Sequence, residues 1–173
     1  MVLLSLATRI DSACRVRPSS AMGSKVTARD AFDQFQFEAD PAILNDVAHE
    51  LVPHIPDGIE VLAGLQLGGV PIATALSLAT GLPLAIVRKV PNWRGPRRLV
   101  EGAAVAHRRV LIVEDVVRSG SQVLSSTLSL RLLGAIVEHS LCVVDMEEGG
   151  TEKTADARIE LHALFTRSEL DGE

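Results

Sequence analysis

Two adjacent carboxylates, Glu114 and Asp115, stand near the end of the apolar run in "VLIVEDVVRSGSQV" (residues 110–123). Neighbouring negative charges repel each other, and each must be solvated or occupied by a partner. A segment that only had to turn would therefore not favour this pair. We expect a polar ligand to bind the two carboxylates.

The residues after the pair can bind an anion. Arg118, Ser119, Gly120 and Ser121 come where a helix is predicted to begin, and unpaired N–H groups at a helix start favour phosphate. Carboxylates would repel that phosphate, but they suit neutral hydroxyls or a metal ion. The stretch predicts a ligand with a phosphate at one end and a diol in the middle, such as a ribose 5-phosphate.

Two further segments carry suitable chemistry after predicted strands. The glycines of "AGLQLGGVP" let main-chain N–H groups approach an anion closely, and "VRK" supplies Arg88 and Lys89. Ligands of open parallel sheets bind beyond the carboxyl ends of the strands, so these segments and the carboxylate pair should meet at one edge.

The segment from Arg88 to Arg98 is basic and contains no acid. Its cations are Arg88, Lys89, Arg94, Arg97 and Arg98. A mobile loop of this kind could close over a pyrophosphate and exclude water. The alternative is a solvated basic loop, which suits Arg97 and Arg98 better than the two cations at the strand end.

The elements that must position these residues alternate along the chain. Predicted strands are "IEVLAG", "PLAIVRK", "RRVLIVED", "AIVEHSLCVVD" and "RIELHALFT", and the helices between them include "IATALSLATG" and "SGSQVLSSTLSLRLLG". An earlier helix begins at Asp40 and Pro41, and the segment before it, residues 17–40, is expected to be loop with short extended pieces. The alternation indicates an α/β fold with a Rossmann-like, doubly wound, mainly parallel sheet.

Composition limits the classes of function. The chain has 173 residues, 47% of them hydrophobic, and a net charge of -5, which suits one domain and argues against nucleic acid as a partner. No apolar run approaches the ~20 residues that cross a bilayer, so no membrane partner is expected. Arginines near the N-terminus resemble those of a transit peptide, but apolar residues at helical spacing favour an amphipathic first helix and a cytoplasmic protein.

"VLIVEDVVRSGSQ" resembles the phosphoribosyl pyrophosphate (PRPP) signature of type I phosphoribosyltransferases. The order of "AGLQLGGVPIATALSLATGLPLAIVRK", "RLVEG", "RRVLIVEDVV" and "VVDMEEGG" is similar to that of the orotate phosphoribosyltransferases, as are "FDQFQFEADPAIL" and "LHALFTRSEL". The resemblance implies a single domain over residues 1–173. It comprises an N-terminal helix and small hood (1–38), an α/β core (39–173) and a mobile loop at about 89–102.

The resemblance also implies an activity: transfer of a phosphoribosyl group from PRPP to orotate, with Mg²⁺ held through PRPP and without direct protein ligands, in a homodimer. The implied catalytic residues are Lys89, Arg94 and Asp115. The implied PRPP contacts are Arg88, Lys89, Glu114, Asp115, Val116, Val117, Arg118, Ser119, Gly120, Ser121 and Gln122. The implied pyrophosphate loop is Leu65, Gln66, Leu67, Gly68 and Gly69, and the implied base contacts are Arg118 and Met146.

Several positions depart from the family pattern. Asn92 replaces a loop lysine, Arg94 a His or Tyr, Arg118 a Thr, Met146 an arginine that contacts orotate, and Ala31 an aromatic residue. We hypothesise that Arg118 restores the charge missing at Met146. The alternatives are a phosphoribosyltransferase for another base and a catalytically impaired, PRPP-binding regulatory protein.

Overall fold

The computed structural model describes residues 5–15, 32–91 and 98–172, which form one sheet with helices on both faces. The strands are β1 (Val61–Leu65), β2 (Leu84–Val87), β3 (Val100–Gly102), β4 (Arg109–Val117), β5 (Ile136–Asp145) and β6 (Glu160–Thr166). The helices are α1 (Leu6–Cys14), α2 (Phe35–Ala39), α3 (Pro41–Leu51), α4 (Gly69–Thr80), α5 (Ser121–Leu132), α6 (Gly150–Asp156) and α7 (Arg167–Asp171), with a 3₁₀ turn at Val52–His54.

The six strands lie in the order β3-β2-β1-β4-β5-β6, and only β3 runs antiparallel to its neighbour. The predicted doubly wound, mainly parallel sheet is confirmed. β1 and β4 lie side by side at its centre, where Gly64 near the end of β1 pairs with Val113, and β4 continues four residues further to Val117. The loops that leave these two strands are therefore neighbours.

Alternation along the strands divides the core between the two faces of the sheet. Leu62, Leu111 and Leu141 pack on the face covered by α1, α3 and α4, whereas Ala63 and Ile112 pack on the face covered by α5. Successive side chains of a strand point to opposite faces, so both layers are built from the same strands. This explains why the strand sequences are continuously apolar.

Two expectations about loops were wrong. Residues 35–39 form α2 instead of an irregular segment, since Phe37 is fully buried and fixes this short helix to the core. Val100–Gly102 form β3 within the expected loop 89–102, and Arg88 N donates to Leu99 O at 2.8 Å at the start of this pairing. An edge strand of three residues is too short to show a period in the sequence.

Element boundaries also differ from those expected. β4 continues to Val117, so Glu114 and Asp115 lie inside the strand instead of at its end. Helix α4 begins at Gly69, before Pro71, and α6 and α7 were not predicted.

The division into a hood (1–38) and a core stays a prediction, because residues 16–31 lie outside the described part. Helix α1 packs on α3, and its Ile10 and Cys14 are fully buried, as its amphipathic pattern predicts. Within the described residues, no helix has the length and apolar character that would let it cross a membrane.

Candidate active site

The carboxylate pair lies at the carboxyl edge of the sheet, with its two side chains directed to different sides. Glu114 and Asp115 are 4% and 5% exposed. Glu114 Oε2 accepts a hydrogen bond of 2.6 Å from Gln122 Nε2 of α5. Asp115 lies against Gly68, where any side chain would overlap its carboxyl group. The pair thus touches elements on both faces of the sheet.

A third carboxyl group, that of Glu38 in α2, joins this pair. The Glu38 side chain lies close enough to Asp115 to interact with it, and its Oε1 is buried without a partner in the described residues. Burial, followed by the interaction with Asp115, raises the pKa of Glu38 well above its ordinary value of 4.5. Two carboxyl groups can share a hydrogen bond only while one of them holds a proton.

The pKa of Glu114 is raised for similar reasons. Burial raises its pKa from 4.5 to about 10, with a further contribution from Asp115, while the positive charge of Lys89 opposes the shift. Burial and the neighbouring carboxyl groups thus disfavour ionisation of both Glu38 and Glu114. Hydroxyl donors or a cation would relieve that crowding, which agrees with the ligand chemistry expected from the sequence.

The second loop (residues 118–121) follows β4 and leads into α5. Gly120 precedes the helix with φ +67°, a left-handed conformation that favours glycine, and no side chain of the described residues caps the helix. The first N–H groups of α5 therefore have no partner within the helix. Ser119 Oγ and Ser121 Oγ lie 3.0 Å apart beside them. Hydroxyls and open N–H groups make this loop suited to an anion.

The first loop (residues 66–69) follows β1 and leads into α4. The Gln66–Leu67 peptide bond is cis, and Leu67 is 61% exposed. A side chain at Gly69 would overlap the backbone oxygen of Val113, so this loop lies directly on β4. Gln122 Nε2 also donates to Gln66 O at 3.2 Å, which joins the two loops.

Two cavities lie beside these loops and share Ser121 and Gln122. One, of about 290 Å³, is lined by Gln34, Glu114 and the second loop. The other, of about 340 Å³, is lined by Leu65, Gln66, Arg88, Lys89 and residues of α5. A ligand with a phosphate at one end and a larger anionic group at the other would fit this arrangement.

Comparison with known proteins identifies the family. No family model matches the chain. It is 42% identical over 167 residues to an orotate phosphoribosyltransferase of Nocardioides sp., covering 96% of this chain and 93% of that protein. It is also 35% identical over 140 residues to the orotate phosphoribosyltransferase of Methanocella arvoryzae, covering 81% and 80%. The chain belongs to the orotate phosphoribosyltransferase family.

A solved structure supports this assignment. The orotate phosphoribosyltransferase of Mycobacterium tuberculosis, in complex with PRPP, superposes with a TM-score of 0.77 at 25% identity and covers 96% of each chain. The type I phosphoribosyltransferase fold therefore extends over nearly the whole of the described chain.

The two base contacts implied by the family, Arg118 and Met146, differ in exposure: Arg118 is exposed and Met146 is buried. Arg118 lines the 290 Å³ cavity, and its Nη1 lies 2.6 Å from Glu148 Oε1 in an ion pair. Met146 is 7% exposed, packs in the core and is not part of that lining. Its backbone N–H donates to Val117 O at 2.8 Å, which draws the apolar side chain into the core. That Arg118 restores the charge missing at Met146, and that either residue contacts the base, stay predictions.

Other family positions differ in how far the structure describes them. Arg94, a predicted catalytic residue, lies with Asn92 outside the described residues, as does Ala31. Val116 is half-buried, and Val117 is buried in the core, so these two position the loop and expose little side chain to a ligand.

Three residues of this family member's site were missed by sequence reasoning: Gln34, Glu38 and Lys153. The first two stand in a segment interpreted as loop, and the motif "FDQFQFEAD" alone does not indicate which face they take. Lys153 Nζ donates to Ser121 Oγ at 2.9 Å across 32 residues of sequence. A helix start at Gly149 and Gly150 was the available signal for its position.

Proposed function

We propose that the protein transfers the 5-phosphoribosyl group of PRPP to orotate, giving orotidine 5'-monophosphate and pyrophosphate in pyrimidine biosynthesis. The observation that carries the proposal is the buried pair Glu114 and Asp115, placed beside an uncapped helix start with two serine hydroxyls. The 42% identity to the orotate phosphoribosyltransferase of Nocardioides sp. supports the same reaction.

The pair and the second loop bind the ribose 5-phosphate part of PRPP. Glu114 and Asp115 accept hydrogen bonds from the two ribose hydroxyls, which replaces the crowding between carboxyl groups with donor–acceptor contacts. The N–H groups from Arg118 to Gln122 bind the phosphate.

The first loop and the neighbouring cations bind the pyrophosphate. Leu65 and Gln66 line the same 340 Å³ cavity as Arg88 and Lys89, and the main-chain N–H groups of residues 65–69 contact the pyrophosphate. Lys89 and Arg94 act as catalytic residues by neutralising the negative charge that develops on the leaving group, and Asp115 acts as the third by holding the ribose whose positive charge develops in the same step. Loss of such a cation should reduce kcat more than ground-state binding.

The chemistry requires little acid or base catalysis from side chains. Departure of pyrophosphate leaves a ribose with oxocarbenium character, which the nitrogen of the base attacks. Positioning of the base and electrostatic stabilisation of the leaving group supply most of the rate. The rigid sheet edge formed by β1 and β4 provides that positioning.

Mg²⁺ fits the donors of this site. Within the described residues, no group of three or more His, Cys, Asp or Glu side chains could hold a metal ion alone. With Glu114 and Asp115 holding the ribose hydroxyls, an ion at this site would be held through oxygens of PRPP and water, a ligand set that Mg²⁺ prefers. Bound Mg²⁺ would supply charge neutralisation of the pyrophosphate, and chelation should abolish transfer.

Arg118 is proposed as the cation that recognises the orotate carboxylate. Its exposed ion pair with Glu148 is worth little, so a ligand carboxylate can replace that partner. We expect Arg118→Thr to raise the KM for orotate about 10-fold or more, and Arg158→Gln, at an exposed arginine after α6, serves as a charge-matched control. An unchanged KM for orotate would show that Arg118 does not restore the missing charge.

Two further properties follow from the family and are proposed with it. The protein forms a homodimer in which part of the basic loop reaches the neighbouring active site, and it works in the cytoplasm. Light scattering at several concentrations tests the first, since a mass of one chain throughout would contradict it.

The decisive assay incubates the protein with PRPP, Mg²⁺ and a panel of bases and follows pyrophosphate release. Turnover with orotate is the expected result. Turnover with a purine or uracil and not with orotate would identify another base as the substrate. PRPP binding without turnover would indicate a regulatory protein.

A further inference from the structure

The second loop is in direct contact with the helix that follows β5. A side chain at Gly150 would lie 2.6 Å from both Arg118 O and Val117 Cγ1, and one at Gly120 would lie 3.0 Å from Gly150 O. These backbones therefore pack without intervening side chains. The start of α6 is fixed against the loop that is proposed to hold the 5-phosphate.

Lys153 stands one turn into α6, on the side of the helix that faces this loop. Its Nζ lies 2.9 Å from Ser121 Oγ, and Ser121 Oγ lies 3.0 Å from Ser119 Oγ. The ammonium group has three donors and no acceptor, and the bond to Ser121 uses one of them. The Lys153 side chain is otherwise exposed, so its remaining donors are accessible to a ligand bound at the loop.

The loop supplies a second cation, but that cation has another partner. Arg118 Nη1 pairs with Glu148 Oε1 at 2.6 Å. A phosphate bound at the N–H groups of α5 carries nearly two negative charges, which neutral hydroxyls and amides only partly balance. Lys153 is placed to supply a full positive charge from an element outside the signature motif.

We propose that Lys153 is a 5-phosphate ligand: its ammonium group binds the phosphate of the phosphoribosyl substrate together with Ser119, Ser121 and the first N–H groups of α5. This inference rests on the proposed function for the identity of the substrate. Lys153 belongs to α6 and contacts Ser121 of the second loop. It is therefore expected to bind the phosphate end of the ligand. It should not affect the pyrophosphate end, which lies beside Arg88 and Lys89.

The test measures binding of two probes, ribose 5-phosphate and pyrophosphate, by calorimetry at one ionic strength. Lys153→Gln should weaken ribose 5-phosphate about 5- to 20-fold, as expected for loss of one charge-assisted hydrogen bond at a solvent-accessible site. Pyrophosphate affinity should change less than 2-fold (~0.4 kcal/mol). Lys153→Arg should recover most of the ribose 5-phosphate affinity.

The charge-matched control is Arg158→Gln, which removes an exposed cation beyond the other end of α6. It should leave both affinities unchanged. Equal affinity of wild type and Lys153→Gln for ribose 5-phosphate would overturn the proposal, and so would equal weakening of both probes, which indicates a general field effect.

Failure of the proposed function is distinguishable from failure of this inference. Orotate transfer is measured on the wild-type protein alone. Ribose 5-phosphate binding that depends on Lys153, in a protein without orotate transfer, would support the inference and contradict the proposed function. Orotate transfer by the wild-type protein, with no effect of Lys153→Gln on the affinity for ribose 5-phosphate, would support the proposed function and contradict the inference about Lys153.

Discussion

The first loop and the second loop leave neighbouring parallel strands and each leads into a helix, but they offer a ligand different surfaces. The first loop is packed down by Gly68 on Asp115 and by Gly69 on the backbone of β4. The second loop stays open, with an uncapped helix start, two serine hydroxyls and Lys153. Close packing in the first loop fixes Asp115, and the open polar groups of the second loop are proposed to bind the anion.

The largest expected effect is at Asp115, where the first loop meets the pair. Asp115→Asn should lower kcat/KM about 100- to 1,000-fold, because the ribose loses a charged acceptor. The melting temperature should not fall, since an amide can donate to the neighbouring carboxyl groups of Glu38 and Glu114. Asp57→Asn, at an exposed turn, is the control and should keep full activity. A fall in stability that matched the fall in activity would contradict this account.

The two glycines of the first loop should respond differently. Gly69→Ala should lower the free energy of unfolding by about 1–3 kcal/mol, because its Cβ meets a backbone oxygen that cannot move. Gly68→Ala meets the Asp115 carboxyl group, which can rotate, so it should lose about 10-fold or more in activity at a smaller cost in stability. Urea unfolding and steady-state kinetics on both variants check the contrast. Equal losses of stability would remove the distinction.

In the second loop, Gly120→Ala should act on both stability and phosphate binding. A left-handed conformation costs a residue with a side chain about 1–2 kcal/mol, and its Cβ would press on Gly150 O at 3.0 Å. We expect weaker ribose 5-phosphate binding with unchanged pyrophosphate binding in calorimetry. Weaker binding of pyrophosphate alone would show that the second loop binds the pyrophosphate and not the 5-phosphate.

A further effect is expected on the pH dependence of stability. The pKa values of Glu38 and Glu114 are raised from 4.5, the latter to about 10, so in this range the folded protein holds protons that the unfolded chain has released. Their contribution to stability is complete below pH 4.5 and is lost as the pH rises towards 10. Glu38→Gln should flatten this decline in the ligand-free protein, as measured by urea unfolding at pH 5 and pH 9. An unchanged decline would mean that Glu38 is ionised in the folded state.

Part of the site could be predicted from sequence because its residues are close together along the chain. Glu114 to Gln122 form one strand-loop-helix unit, in which strand period and glycine position indicate the geometry. Glu38 and Lys153 could not be predicted, since each reaches the site through tertiary packing of a short helix. Local periodicity is weak in helices of five and seven residues, and it does not indicate what they pack against.

In the fold, as in the site, the elements with a strong local sequence signal could be predicted and the short elements could not. Continuous apolar runs predicted the parallel strands, whereas β3 has three residues on a sheet edge and was interpreted as loop. Helix α7 depends on a capping box between Thr166 and Glu169, a signal present in "TRSEL" but masked by the preceding strand. Pairing partners and caps, more than composition, decide such short elements.

The most direct test of the central claim is a crystal structure of the protein with orotidine 5'-monophosphate. The account predicts the ribose hydroxyls within hydrogen-bonding distance of Glu114 and Asp115, and the phosphate on the second loop within reach of Ser121 Oγ and Lys153 Nζ. A phosphate bound at the first loop instead, or a ribose away from the two carboxylates, would contradict it.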